Sequence, residues 1–225
     1  MGLVAKTFSF VRSYLSPADR LAETLCGLIM VLSFTLVAAP QVREGREGVH
    51  SLLLATLGCN FAWGVIDGVL YILFTMSQRA RRARIGRQVR KAPDEAGALA
   101  AVRAELDPDL QGLASPADRD ALYRAVVPMV AQIPPGRTRA TRDDLLGGVA
   151  ILILEVVCTL PAAVPFLFMR SPMAALRVSN ALLLGLLFAV GYMWGKEIES
   201  NRFLAGLAMF CLGLALVGVA MALGG

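Results

Sequence analysis

One histidine, His50, and four cysteines with no CxxC spacing are all that this chain of 225 residues offers a zinc site in nitrogen and thiolate donors. A zinc site needs several such donors at short spacings, and a disulfide framework needs cysteines in loops that can meet. Cys26, Cys59, Cys158 and Cys211 each fall instead in a different apolar run, where a free cysteine reads as a small core residue. Enzyme signatures are missing too. There is no HExxH, no GxSxG and no P-loop, and no nucleophile stands beside a base, so the chain is not read as an enzyme and no cofactor is expected. Charge is also scarce: 17% of residues are charged against 56% hydrophobic, with a mean hydropathy of +0.63. Apolar runs of that extent exclude an ordinary soluble domain and point to an all-α, polytopic membrane protein.

Five apolar segments are legible, at 21–40, 51–76, 145–169, 173–195 and 203–223, each near or above the ~20 residues that a helix needs to cross hydrocarbon. Met1 to Ser16 carries Lys6 and Arg12 in an amphipathic stretch, and no small-residue cleavage motif follows the first apolar run, so that run is expected to remain in the product. Helix starts are marked. Ser16-Pro17-Ala18-Asp19 and Ser115-Pro116-Ala117-Asp118 each set Ser at the N-cap, Pro at the first helical position and a carboxylate at the third; Thr141-Arg142-Asp143-Asp144 follows similar logic. The repeated SPADR is better read as one cap used twice than as a duplication.

Basic residues resist translocation and so set orientation. The N-terminal segment, the stretch 77–144 and the fourth connection hold eighteen Lys and Arg; the other two connections hold four, Arg43, Arg46, Arg170 and Arg177. The expected topology has the N-terminus cytoplasmic and the C-terminus outside, in a bacterial inner membrane. It divides into an N-terminal cytosolic segment 1–20, spans one and two over 21–76, a cytosolic helical domain 77–144 and spans three to five over 145–225. Within 77–144, Leu122, Val126, Val127, Val130 and Ile133 recur at helical spacing and Pro134-Pro135-Gly136 closes the pattern. The run Arg79, Arg81, Arg82, Arg84, Arg87, Arg90, Lys91 begins at the end of a span, so attraction to anionic lipid explains it better than nucleic acid does.

Three carboxylates interrupt the apolar spans: Glu23, Asp67 and Glu155. A charge in hydrocarbon costs roughly 2.5–3.5 kcal/mol even on the lenient insertion scale, so each needs a partner, a proton or an ion. At a rise of 1.5 Å per residue Asp67 and Glu155 both come out roughly 14–15 Å deep, near the midplane, where they are able to share a cation or a proton. Asn60 lies two turns before Asp67 on the same helical face; it is either an extension of this polar path or a hydrogen bond between helices. Glu23 follows Arg20 near the inner interface, where a salt bridge or snorkelling also suffices. Pro161 and Pro165 cannot donate to the carbonyls of Val157 and Pro161, which leaves either acceptors suited to a hard cation or a kink satisfied by neighbours. Small residues on the fourth and fifth spans, among them Gly185, Gly191, Gly206, Gly213 and Gly218, permit close packing within the chain or between subunits.

With Glu23 to Gly27 opening the first span, Ala62-Trp63-Gly64 to Tyr71 in the second and Leu160-Pro161-Ala162-Ala163-Val164-Pro165-Phe166 in the third, the chain resembles the vacuolar iron transporter family. That resemblance implies five spans, a cytosolic helical insertion after the second, and export of ferrous iron or manganese from the cytosol. It also implies a homodimer with the pore between the first spans, and it puts Glu23 at the family's acidic pore position. Departures are clear. The Glu and Met cluster of metal-loading members is reduced to Glu95, Glu105 and Met129 over 77–141, and the second-span Met and Glu are missing around Ile66 and Cys59 or Asn60.

The expectation is therefore a proton-coupled divalent cation transporter with Glu23, Asp67, Glu155 and Asn60 as metal-binding residues. Its partners would be the bilayer, a second copy, the cation and protons, and not nucleic acid. The alternative is a non-transporting scaffold or sensor whose basic helices bind lipid headgroups or a protein.

Overall fold

In a computed structural model, which describes residues 2–37, 40, 42, 45–133 and 139–222, the described residues form helices and no strand. The helices are α1 (Gly2–Tyr14), α2 (Pro17–Val37), α3 (Arg46–Lys91), α4 (Glu95–Leu110), α5 (Pro116–Ala131), α6 (Arg142–Cys158), α7 (Leu160–Phe168), α8 (Pro172–Glu197) and α9 (Arg202–Ala222). Five stretches are long and apolar enough to cross a membrane: α2, α3, α6 with α7, α8 and α9. Arg43, Pro134-Pro135-Gly136 and the ends of the first and fifth expected spans, Ala38, Ala39 and Leu223, lie outside the described residues.

Two boundaries differ from expectation. The first span starts at Pro17 rather than 21, because the Ser16 cap is the true helix start: Ser16 Oγ accepts from Asp19 N at 3.1 Å, and Asp19 Oδ2 accepts from Ser16 N at 3.2 Å. The second span does not stop near Met76, because no Gly or Pro intervenes before Gly86 and the arginines that follow are good helix formers; α3 runs on to Lys91. The Ser115 cap works as the Ser16 cap does, with Asp118 N donating to Ser115 Oγ at 3.2 Å.

The chain divides into two compact units, one of Met1–Tyr71 with Arg142–Gly225 and one of Ile72–Thr141. In the first unit Leu25, Leu28, Val31, Leu32 and Leu36 of α2 face Leu183, Leu187 and Val190 of α8. Lipid is as apolar as leucine, so close contact rather than apolar burial has to hold such helices together. Glycines supply it. Gly191 lies against Ala205 and Met209, Gly206 against Phe188, and Gly213 against Leu184 and Leu187, whereas Gly185 and Gly218 have nothing within 4 Å. Cys158 is buried, but Cys26 and Cys211 are exposed, correcting the expectation that all four cysteines are core residues. Each lies on a side of its helix away from the leucines or glycines that pack.

In the second unit Val89, Ala98, Val102 and Tyr123 form the core, with Val126, Val127 and Val130 against it. The packed face of α5 is thus turned toward Tyr123, and Leu122, expected inside, is 44% exposed. Tyr123 wins the interior because its hydroxyl has a partner there: it donates to Asp107 Oδ1 at 2.8 Å, which also accepts from Arg119 Nη1 at 2.6 Å. The Tyr123 hydrogen bond, assisted by the Arg119 charge, holds the Asp107 carboxyl below its ordinary 3.8. A depressed carboxyl adds stability above the unfolded value and loses it as pH falls through the folded one. Tyr123→Phe is therefore expected to speed hydrogen exchange in α4 and α5 at neutral pH and leave α8 unchanged. Below pH 3.8, wild type should loosen further and the variant respond less; equal protection in both proteins would refute the role of this hydroxyl.

Candidate functional site

Helix α3 presents one inward stripe in the first unit: Leu52, Thr56, Asn60, Gly64 and Gly68 are buried at intervals of four, with Asp67 half-buried beside them. Large apolar side chains such as Phe61, Val65 and Val69 take the other faces and are exposed. Helix α6 answers with Gly147, Gly148, Ile151 and Glu155, again at helical spacing.

Glycine decides how near these helices come. A methyl group added at Gly68 would lie 2.8 Å from the Gly148 carbonyl oxygen, and one at Gly64 would lie 3.0 Å from the Cα of Leu152 and 3.0 Å from Cβ of Glu155. On α2, a methyl at Gly27 would lie 2.7 Å from Glu155 Oε2 and 2.9 Å from the Cys158 Cβ. The Glu155 carboxylate therefore rests against bare backbone of α2. Cys158, one turn on, packs at the same crossing, and its thiol lies 3.7 Å from the Thr24 carbonyl oxygen that accepts from it.

The result is a cluster that the depth argument only half anticipates. Glu23, Asp67 and Glu155 each place a carboxylate oxygen so that all three atoms lie within 4.8 Å of one another. Asp67 and Glu155 come together as their equal depth suggests; Glu23 joins them rather than standing apart at an inner interface. The earlier start of α2 is the reason, since it sets Glu23 nearly two turns inside its helix. Glu155 is 0% exposed, and neither of its carboxylate oxygens has a hydrogen-bond partner among the described residues. Glu23 and Asp67 are half-buried.

Asn60 makes hydrogen bonds between helices. Its Nδ2 donates to the carbonyls of Gly27 at 3.3 Å and Glu155 at 3.0 Å, tying α3 to α2 and α6 directly at the cluster, while its Oδ1 is buried without a partner. One turn toward the C-terminus the third span breaks at Thr159, whose hydroxyl donates to the Val156 carbonyl at 2.7 Å. Ser179 Oγ likewise donates to the Ala162 carbonyl at 2.9 Å. The break sits where Pro161 cannot supply an N–H to Val157, and Thr159 itself keeps helical dihedrals, so the two helices form one interrupted span.

Chemically the site offers hard oxygen donors from three helices, one of them fully buried and two half-buried. Three like charges this close cannot all remain ionised without compensation, and among the described residues none of the three is in an ion pair. Oxygen donors of this kind suit Mg2+, Ca2+, Mn2+ or Fe2+ over thiophilic metals. The glycines are the residues that sequence reasoning missed as parts of the site; the signal for two of them was the Gly64-x-x-x-Gly68 spacing in an apolar span. Neither a family model nor a curated protein matches this chain.

Proposed function

We propose that the chain is a proton-coupled transporter of a divalent cation, iron or manganese in type, in which Glu23, Asp67 and Glu155 hold the ion and protons in turn. The observation that carries the reading is the Glu155 side chain: fully buried, with both oxygens unpartnered, and aimed at two further carboxylates within 4.8 Å. A structural carboxylate would be expected to have hydrogen-bonding partners, because leaving a buried acceptor unmade costs about 1–3 kcal/mol. An intramembrane carboxylate without one is most economically a place where something else binds.

Charge then sets the coupling. One divalent cation and one proton neutralise three carboxylates, and so do three protons. Exchange of one cation for two protons therefore leaves the local charge unchanged, and that is the cheapest exchange in a site of low polarity. The resemblance to the vacuolar iron transporter family supports the same cargo and an export direction. Asn60 serves this reading in two ways: its Nδ2 locks the backbone at Gly27 and Glu155, and its buried Oδ1 is left as an oxygen donor.

Proteoliposomes carrying the full chain are expected to take up Mn2+ when a proton gradient opposes it, and to stop when the gradient is collapsed. Asp67→Asn and Glu155→Gln should each lower the initial rate by at least about tenfold, the effect of losing one charge-bearing ligand. Wild-type rates in both variants would remove these residues from the mechanism.

A further inference from the structure

The basic run of α3 separates into two groups once its partners are seen. Arg79 Nη1 donates to Thr141 Oγ1 at 3.3 Å, Arg81 pairs with Glu105, and Arg90 Nη1 donates to the carbonyls of Ala131 at 3.0 Å and Ile133 at 2.6 Å, closing the end of α5. These three arginines hold the second unit together. Arg84, Arg87 and Lys91 do not: none has an ion pair or hydrogen bond among the described residues. Spaced by three and four, they share one helical face, where like charges repel and weaken the helix unless something compensates.

All three line a groove of about 610 Å³ between α3 and α4. Gln88 stands among them, and the facing wall on α4 is built from residues as small as Ala101 and Ala104, so no long side chain fills the space. The one carboxylate at the groove, Glu105, is already engaged by Arg81. Two guanidinium forks and an ammonium opposite a short apolar wall match the geometry of phosphate oxygens carried on a small organic body. The volume also falls in the range of small-molecule sites, about 300–1,000 Å³.

We propose that this groove binds a phosphate-bearing anion, with Arg84, Arg87 and Lys91 as its ligands. The inference is independent of the transport reading. Two sources present this chemistry, the headgroup of an anionic phospholipid and a soluble phosphate compound, and a two-armed experiment on the full chain separates them. In phosphatidylcholine nanodiscs, titration with pyrophosphate and with ATP is followed by calorimetry. In parallel, nanodiscs doped with phosphatidic acid are followed by native mass spectrometry for retained lipid.

Saturable binding near one per chain is expected in at least one arm, weakened at least about tenfold by Arg84→Gln with Arg87→Gln, and by high salt. Ala104→Glu, which sets a carboxylate opposite the cations at an exposed position, should weaken it as well without disturbing a packed residue. Arg82→Gln removes a charge of the same run outside this groove and should change nothing. Binding of the soluble probes identifies a free phosphate compound, and binding of phosphatidic acid alone identifies a headgroup; both support the site. No saturable binding in either arm, or an equal loss in Arg82→Gln, overturns it and reduces the run to diffuse surface charge.

Discussion

Glu155→Gln is expected to make the protein harder to unfold in the absence of metal and to abolish stabilisation by Mn2+. Both halves follow from the same geometry. In wild type the Glu155 carboxylate is 0% exposed and unpartnered, so folding leaves it desolvated beside two other acids. A glutamine of the same shape carries no charge, and its amide N–H groups can donate to Glu23 or Asp67. Relief of a buried unsatisfied group is worth about 1–3 kcal/mol. The opposite sign appears once metal is added. A ligand that binds only the folded state stabilises it by about 2.7 kcal/mol at a hundredfold excess over its dissociation constant. The wild type should therefore gain stability with Mn2+ while the variant stays level, and the two melting curves should cross as the metal is titrated in. Asp67→Asn should shift the metal-free curve less, because Asp67 is only half-buried. A Glu155→Gln protein that keeps the full Mn2+ response would end the case for Glu155 as a ligand.

What could be read beforehand is what depends on local chemistry. The Ser16 and Ser115 caps act as their spacing requires, since a cap is decided within four residues. The five apolar stretches are found again as helices long enough to span a membrane. The meeting of Asp67 and Glu155 followed from equal depth, which is simple counting along a helix of fixed rise. The rest depended on partners far apart in sequence. Glu23 enters the cluster because α2 starts at its cap, and counting from the first apolar residue hid that turn. Tyr123 takes the core place expected of Leu122 because Asp107 and Arg119 wait there for its hydroxyl. The basic run looked uniform in one dimension; only Glu105, Thr141 and the end of α5 divide its structural arginines from its unpaired ones. The third span showed its prolines plainly, and the break at Thr159 falls where Pro161 leaves the Val157 carbonyl without its helical donor.

Gly27→Ala is expected to eliminate the Mn2+ response without altering any ligand. Its new methyl group would lie 2.7 Å from Glu155 Oε2 and 2.9 Å from the Cys158 Cβ, both inside contact distance; the carboxylate can swing aside, but the Cys158 Cβ moves only with α6. Glu155 would then swing out of reach of Glu23 and Asp67, and α2 and α6 would also have to part at Cys158, so the carboxylates no longer meet. Gly68→Ala meets a different obstacle: the Gly148 carbonyl oxygen at 2.8 Å is backbone and cannot turn aside. Helices α3 and α6 must separate there, which costs about 1–3 kcal/mol and carries Asp67 away from Glu155. The metal-free protein should melt earlier in this variant, as in Gly27→Ala, where the Cys158 Cβ is the atom that must give. Gly58→Ala, at a position with nothing within 4 Å, is the internal control and should stabilise α3 slightly, by about 0.5–1 kcal/mol. If Gly27→Ala binds Mn2+ as wild type does, the carboxylate does not depend on the bare backbone of α2, and the cluster must form in some other way. If the three glycine variants instead behave as ordered here, helix spacing controls the site as strictly as its ligands do. A change of access would then need only a small shift at these crossings to open or close the ring of carboxylates.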